Sequence, residues 1–348
     1  MSSSLRLKPR IVQEVSYPGD LLSVVRTPAP SQFFVGGALG RIALIDLEAE
    51  TKVVSSWAAH VSYVSSLALA GDRLVSAGSD HRVIWWDRES LRPLRIVDDH
   101  PKWVRALACS PDGHLLATAC DDMACRLWEA ASGKLVRELR GHAPLTAEFL
   151  ASKLYCCTFS PDGRLLATAD QVGRIIVWEV ATGKQLQSLQ TRLFFTHDTN
   201  GHGYGGIRGL AFAPDGVQLA ASGNQAGDTS TIGGSKSLIQ VYDWTSGELT
   251  CDWNTGGNFF YERAMFHPAG KWLVGIGGAG TEQKIAFFDP ATKESLHQEP
   301  SPMLAFDGVL GESAEFLLTV GRKDNQGHLI QWALDAVDGG PHGDDPST

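Results

Sequence analysis

Val83-Ile84-Trp85-Trp86-Asp87 is an apolar run that ends in a large aromatic residue and an acid. The same figure returns at Ile42-Ala43-Leu44-Ile45-Asp46, Cys125-Arg126-Leu127-Trp128-Glu129 and Ile175-Ile176-Val177-Trp178-Glu179. It returns again at Ile239-Gln240-Val241-Tyr242-Asp243, Ile285-Ala286-Phe287-Phe288-Asp289 and Leu329-Ile330-Gln331-Trp332-Ala333. Counted on Ile45, Trp86, Trp128, Trp178, Tyr242, Phe288 and Trp332, the intervals are 41, 42, 50, 64, 46 and 44 residues. Self-similarity at such a period marks a chain built from repeated supersecondary units.

The content between figures repeats as well. An acid opens a small loop, as in Glu129-Ala130-Ala131-Ser132-Gly133-Lys134, and a short alternating strand follows, as in Leu135-Val136-Arg137-Glu138-Leu139. A His then appears after a small residue at Ala59-His60, Gly141-His142 and Gly201-His202. The next strand runs into a tight turn at Ser110-Pro111-Asp112-Gly113, Ser160-Pro161-Asp162-Gly163, Ala213-Pro214-Asp215-Gly216 and His267-Pro268-Ala269-Gly270. Pro presets φ at the second turn position, and Gly takes a position that needs φ > 0. A further strand and turn lead back to the figure.

Each unit is therefore four short strands, and no stretch of useful length has a helical period. Such units at just over forty residues predict an all-β, seven-bladed β-propeller of four-stranded antiparallel blades. One blade cannot bury both faces, so neighbours must pack face to face. After Trp332 no fourth strand remains for the last blade, whereas residues 10–15 form a strand with no blade of its own. The N-terminal strand is expected to complete the last blade and close the ring, which removes a free edge. Residues 1–337 are expected to form one domain, and the tail 338–348, without an apolar cluster, to be disordered.

The chain resembles the WD-repeat β-propellers over nearly its whole length, most clearly where Trp86-Asp87, Trp128-Glu129 and Trp178-Glu179 stand for the Trp-Asp pair. The resemblance implies structural tetrads of His, Ser or Thr, Asp and Trp. By position these are His60, Ser76, Asp80 and Trp86 in blade two, and His100, Thr118, Asp122 and Trp128 in blade three. In blade four His142, Thr168 and Trp178 match, but Val172 stands at the Asp position. The implied role of these residues is structural, because a satisfied buried network fixes a blade.

Composition excludes some functions. A net charge of −9 argues against nucleic acid, whose phosphates require a basic face. The six cysteines follow no metal-finger spacing and read as core residues of a reducing, cytoplasmic setting. No apolar run reaches the ~18–20 residues of a membrane span.

Insertions in repeat proteins map to loops, often on the binding face. Here the added length falls in the connections between blades (141–153, 191–206) and between second and third strands (223–237, 277–283, 320–327). Both kinds open on one rim, chiefly above blades four to seven. The loop 191–206 holds Phe194, Phe195 and Tyr204, which read either as partner anchors or, for the two Phe, as a satellite core. It also holds His197, Asp198 and His202, a weak metal constellation in which His202 doubles as the blade-five tetrad His. The entries to the first strands place Tyr63, Trp103, Lys153, Gly206 and Phe260, followed by Ser65, Arg105, Tyr155, Arg208 and Glu262 one residue past the next position, near the same rim. Aromatic residues with Arg are the composition of an interaction hot spot, and equally of a polar channel lining.

The resulting expectation is a non-enzymatic scaffold without cofactor that binds a protein or peptide partner on this rim through Tyr63, Trp103, Arg105, Tyr155, Phe194, Phe195, Tyr204, Arg208 and Phe260. The alternative is a propeller-type metal-dependent hydrolase or lactonase using the loop histidines.

Overall fold

In the computed structural model, residues 6–145, 152–191, 193–197, 203–225, 236–256, 259–279 and 282–337 are described. They form seven antiparallel sheets in a ring, as the repeat predicts. Blade two shows the plan: strands Val64–Ala70, Arg73–Gly78, Val83–Asp87 and Pro93–Val97 pair in order. The first strands of all seven blades pack against one another around the axis, and the circle is completed by Leu21–Arg26 of blade one against Leu304–Leu310 of blade seven. Blade seven is completed by the strand Arg6–Tyr17, longer than the expected 10–15, which pairs with Gln326–Val337. The expected tail 338–348 lies outside the described residues.

Strand alternation explains the packing. Side chains of successive residues point to opposite faces, so Trp85 and Trp86 serve different neighbours. Trp86 packs in the apolar cluster shared with blade one, and Trp85 in that shared with blade three. Seven such clusters fill the seven interfaces between blades. The Pro-containing turns behave as their chemistry requires: Gly113, Gly163, Gly216 and Gly270 all have φ between 69° and 74°. The Gly113 N–H closes its turn on the Ser110 carbonyl at 2.8 Å.

Blade five departs from four strands. A short strand, Phe195–His197, pairs with the start of Gly203–Phe212 and makes the sheet five-stranded. The interval before Tyr242 is thus partly used to extend the inner strand. Phe194, read as a partner anchor, is instead fully buried in the cluster between blades four and five. An aromatic ring beside Cys156, Ile175 and Leu189 gains more from burial there than from exposure on a rim.

The tetrads also differ among themselves. In blade two His60 Nδ1 bonds Asp80 at 2.8 Å, His60 Nε2 bonds Ser76 Oγ at 2.8 Å, and Trp86 Nε1 donates to the same Oγ at 2.9 Å. In blade three Trp128 donates to Thr118 at 3.1 Å and His100 Nε2 meets Thr118 at 3.4 Å. Asp122 does not complete this tetrad. It is drawn to Arg126, whose Nη2 donates at 2.6 Å, because an arginine four residues on offers a charge-assisted bond that a neutral His cannot match.

In blade four the absent acid at Val172 is supplied by Asp170, at the register position of Gly78 in blade two. A Cβ built at Gly78 would lie 2.5 Å from both the Asp80 carboxylate and His60 Nδ1. A side chain at that position therefore reaches the tetrad by itself, and the Asp two residues later becomes unnecessary. Blade seven keeps half a tetrad, with Trp332 donating to Thr319 at 3.1 Å.

The loss of its acid leaves His100 buried with no hydrogen bond at Nδ1. Burial, reinforced by nearby Arg126, pushes its pKa down to about 4. The unfolded chain protonates this His near 6.5, so between about pH 6.5 and 4 it binds more protons than the folded one. Stability is expected to fall by roughly 3 kcal/mol from this group as pH drops through that window. Urea midpoints measured at pH 7, 5.5 and 4 should decline less steeply in His100→Asn than in the wild type. An unchanged slope would assign the acid sensitivity to other groups.

A cavity built from seven bulges

Each inner strand carries a β-bulge at the same place. The register slips between Leu21 and Ser23, Val64 and Ser66, Val104 and Ala106, Leu154 and Cys156, Ile207 and Gly209, Tyr261 and Arg263, and Ala305 and Asp307. A bulge leaves one residue out of the ladder and re-aims its side chain. The residues left out are Leu22, Ser65, Arg105, Tyr155, Arg208, Glu262 and Phe306. All seven line one cavity of about 290 Å³ on the axis of the ring. Tyr63, Ser79 and Trp103 extend its wall toward the rim. Tyr63 and Trp103 are 48% and 40% exposed, enough to be reached from solvent.

The polar arc is a ladder of cations and rings. Tyr63 and Trp103 meet edge to face at 6.5 Å. The Arg105 guanidinium lies 4.7 Å from the Trp103 ring centre and 5.4 Å from that of Tyr155. Arg208 lies 4.7 Å from the same Tyr155 ring. These distances are within reach of cation–π attraction. Arg105 is also pinned by a two-point bond to Asp121, at 2.9 and 2.7 Å. Arg263 is held by Asp307 at 2.8 Å, and the second oxygen of Asp307 accepts the Val24 N–H at 3.0 Å. Arg208 is different: its Nε is buried without a hydrogen-bond partner. Burial opposes its charge, but the Glu262 carboxylate, together with smaller contributions from Tyr155 and Cys156, outweighs that, so Arg208 holds its proton more firmly than an ordinary arginine.

The cavity brings together Tyr63, Trp103, Arg105, Tyr155 and Arg208, five of the nine residues expected to bind a partner, together with Ser65 and Glu262 from the same strand position, and adds Leu22 and Phe306, whose apolar character hid them. Phe260 is half-buried and is not among its lining residues. Phe195 and Tyr204 sit opposite neighbouring residues of the blade-five hairpin, Phe195 facing Gly205 and Tyr204 facing Thr196, and only their backbone is described. The same holds for His197, while Asp198 and His202 lie outside the described residues. Among the described residues no three His, Cys, Asp or Glu side chains are grouped as metal ligands. No helix among them is long and apolar enough to cross a membrane.

Comparison with known proteins agrees with the geometry. Residues 91–129 and 133–179 match the model of the WD domain, G-beta repeat. Protein HIR1 of Mycosarcoma maydis is 30% identical over 149 residues, 37% of this chain and 15% of that protein. Nuclear distribution protein nudF of Aspergillus niger is 30% identical over 111 residues, 32% of this chain and 23% of its own. The Notchless protein homolog of Arabidopsis thaliana is 35% identical over 72 residues, 20% of this chain and 15% of its own. The matched segments thus span less than a quarter of each of these relatives. Each matched repeat begins at the outer strand of one blade and ends in the third strand of the next, the same offset by which Arg6–Tyr17 completes blade seven. Two matched WD repeats that straddle blades in a closed seven-bladed ring make this chain similar to the WD-repeat β-propellers.

Proposed function

We propose that the chain is a non-catalytic scaffold, without a cofactor, that docks a segment of a protein partner at the axial cavity. The observation that carries this reading is the convergence of seven bulged residues on one pocket flanked by the accessible Tyr63 and Trp103. Aromatic residues and arginine are the side chains on which binding energy concentrates. The cavity opens on the face of the inter-blade and second-to-third-strand connections, so the longer loops of blades four to seven would frame a bound partner. Six free cysteines, five of them buried, fit a reducing, cytoplasmic setting.

The test is affinity capture from the native cell with the full chain and with a Trp103→Ala/Tyr155→Ala double variant. A partner held by the wild type is expected to be lost from the variant, with melting temperature little changed. Equal recovery of the same proteins by both would remove this surface from the account. The hydrolase alternative predicts tight uptake of zinc or another divalent ion by the purified full chain, read by metal analysis.

A further inference from the structure

We propose that the axial cavity receives a carboxylate of the partner on Arg208, with an apolar side chain beside it against Leu22 and Phe306. This deepens the docking reading above and rests on it. Three arginines reach the cavity, and two are already neutralised: Arg105 by Asp121 and Arg263 by Asp307. Arg208 alone of the three keeps a buried N–H without an acceptor. A buried donor left unsatisfied is costly, and an incoming acceptor recovers that cost. Glu262, next to it around the ring, favours its charged form without accepting from that Nε.

A planar carboxylate matches the fork of a guanidinium in shape and in charge. A doubly charged phosphate fits less well, since Glu262 lines the cavity and Asp121 and Asp307 stand behind two of its arginines. The net charge of −9 does not keep such a partner away locally. Lys102 and Lys153 flank the adjoining depression beside Trp103 and Arg105, and neither is in an ion pair with a described residue. On the other side of the cavity, Leu22 and Phe306 come from blades one and seven, which adjoin in the ring. The cavity therefore has a cationic arc and an apolar arc, and a segment with an acid near an apolar residue satisfies both.

The experiment selects displayed twelve-residue random peptides on the full chain, then measures synthetic copies of the selected peptides by fluorescence anisotropy. Selected sequences are expected to share an Asp or Glu near an apolar residue. Arg208→Met should weaken the best peptide at least tenfold, and Arg208→Lys, which keeps the charge but not the fork, by less. Replacing the peptide's acid by its amide should cost as much as Arg208→Met, with no further loss when both changes are combined. A C-terminally amidated copy separates the two sources of carboxylate: retained binding assigns a side chain, and lost binding assigns the chain end. Selected peptides that lack an acid, that prefer a phosphorylated residue, or that bind Arg208→Met within twofold of wild type overturn the carboxylate assignment. If such peptides still depend on Trp103 and Tyr155, the docking reading survives. If no peptide is selected at all, both are overturned.

Discussion

Replacing Asp170 with alanine is expected to cost about 3–5 kcal/mol of stability, more than any single change at the axial cavity. Asp170 is fully buried and accepts from three donors: His142 Nδ1 at 2.7 Å, the Val172 N–H at 3.1 Å and the Arg174 N–H at 2.9 Å. The chain continues from His142 to Thr168 at 2.9 Å and from Trp178 to Thr168 at 2.9 Å. Alanine would leave the buried His142 donor unpaired, at a cost of about 1–3 kcal/mol, and would take the acceptor from the two half-buried backbone N–H groups as well. Asp170→Asn keeps one acceptor oxygen and should cost less. Asp80→Ala in blade two provides the comparison, because Asp80 holds His60 in the same way but lies nearer to solvent. Urea denaturation with matched slopes is the measurement. A loss below 1 kcal/mol for Asp170→Ala would show that the acid is dispensable to blade four.

Deleting residues 1–17 is expected to abolish the single cooperative transition of the whole ring. The strand Arg6–Tyr17 carries Leu7, Val15 and Tyr17 into the clusters on both sides of blade seven. Burying such side chains contributes roughly 1.5–3 kcal/mol each, a sum comparable with the whole stability of many domains. It also ties blade seven to blade one. Gln13 Nε2 donates to the Leu47 carbonyl at 3.1 Å, and the Tyr17 hydroxyl meets Ser56 at 2.6 Å. Without the strand, Gln326–Val337 becomes a twelve-residue open edge, which invites intermolecular pairing. Size-exclusion chromatography and calorimetry should report aggregation and a broadened transition. A synthetic peptide of residues 6–17 added in trans should restore part of the lost stability. A truncated chain that melts as one sharp transition at the wild-type temperature would show that the ring does not depend on this closure.

Much of the cavity was legible because its lining sits at one repeat-defined position. Arg105, Tyr155, Arg208 and Glu262 are identifiable by counting from the start of each first strand. Leu22 and Phe306 were not, because an apolar residue in an apolar strand carries no sign of a bulge. The placement of Phe194 was open for a related reason. An aromatic residue in a long loop reads alike as an anchor or as a plug, and only the packing between blades four and five decides. The acid of blade four was missed because a positional rule expects Asp two residues after the strand, whereas at Asp170 the geometry accepts one at its last residue.

The recurrence of Val83-Ile84-Trp85-Trp86-Asp87 determined the blade count, the order of strands and the offset by which the N-terminus closes the ring. These follow from local patterning: period-two alternation, turn chemistry and a fixed repeat length are properties of neighbouring residues. Which acid satisfies which histidine, and which arginine keeps a free donor, was decided only by the tertiary structure. Asp122 bonds Arg126 rather than His100, and Arg208 stands beside Tyr155 and Glu262 from two other blades. The Asp122–Arg126 bond is made within one blade, across four residues, whereas the Arg208 contacts join residues more than fifty positions apart, set by the packing of one blade on the next.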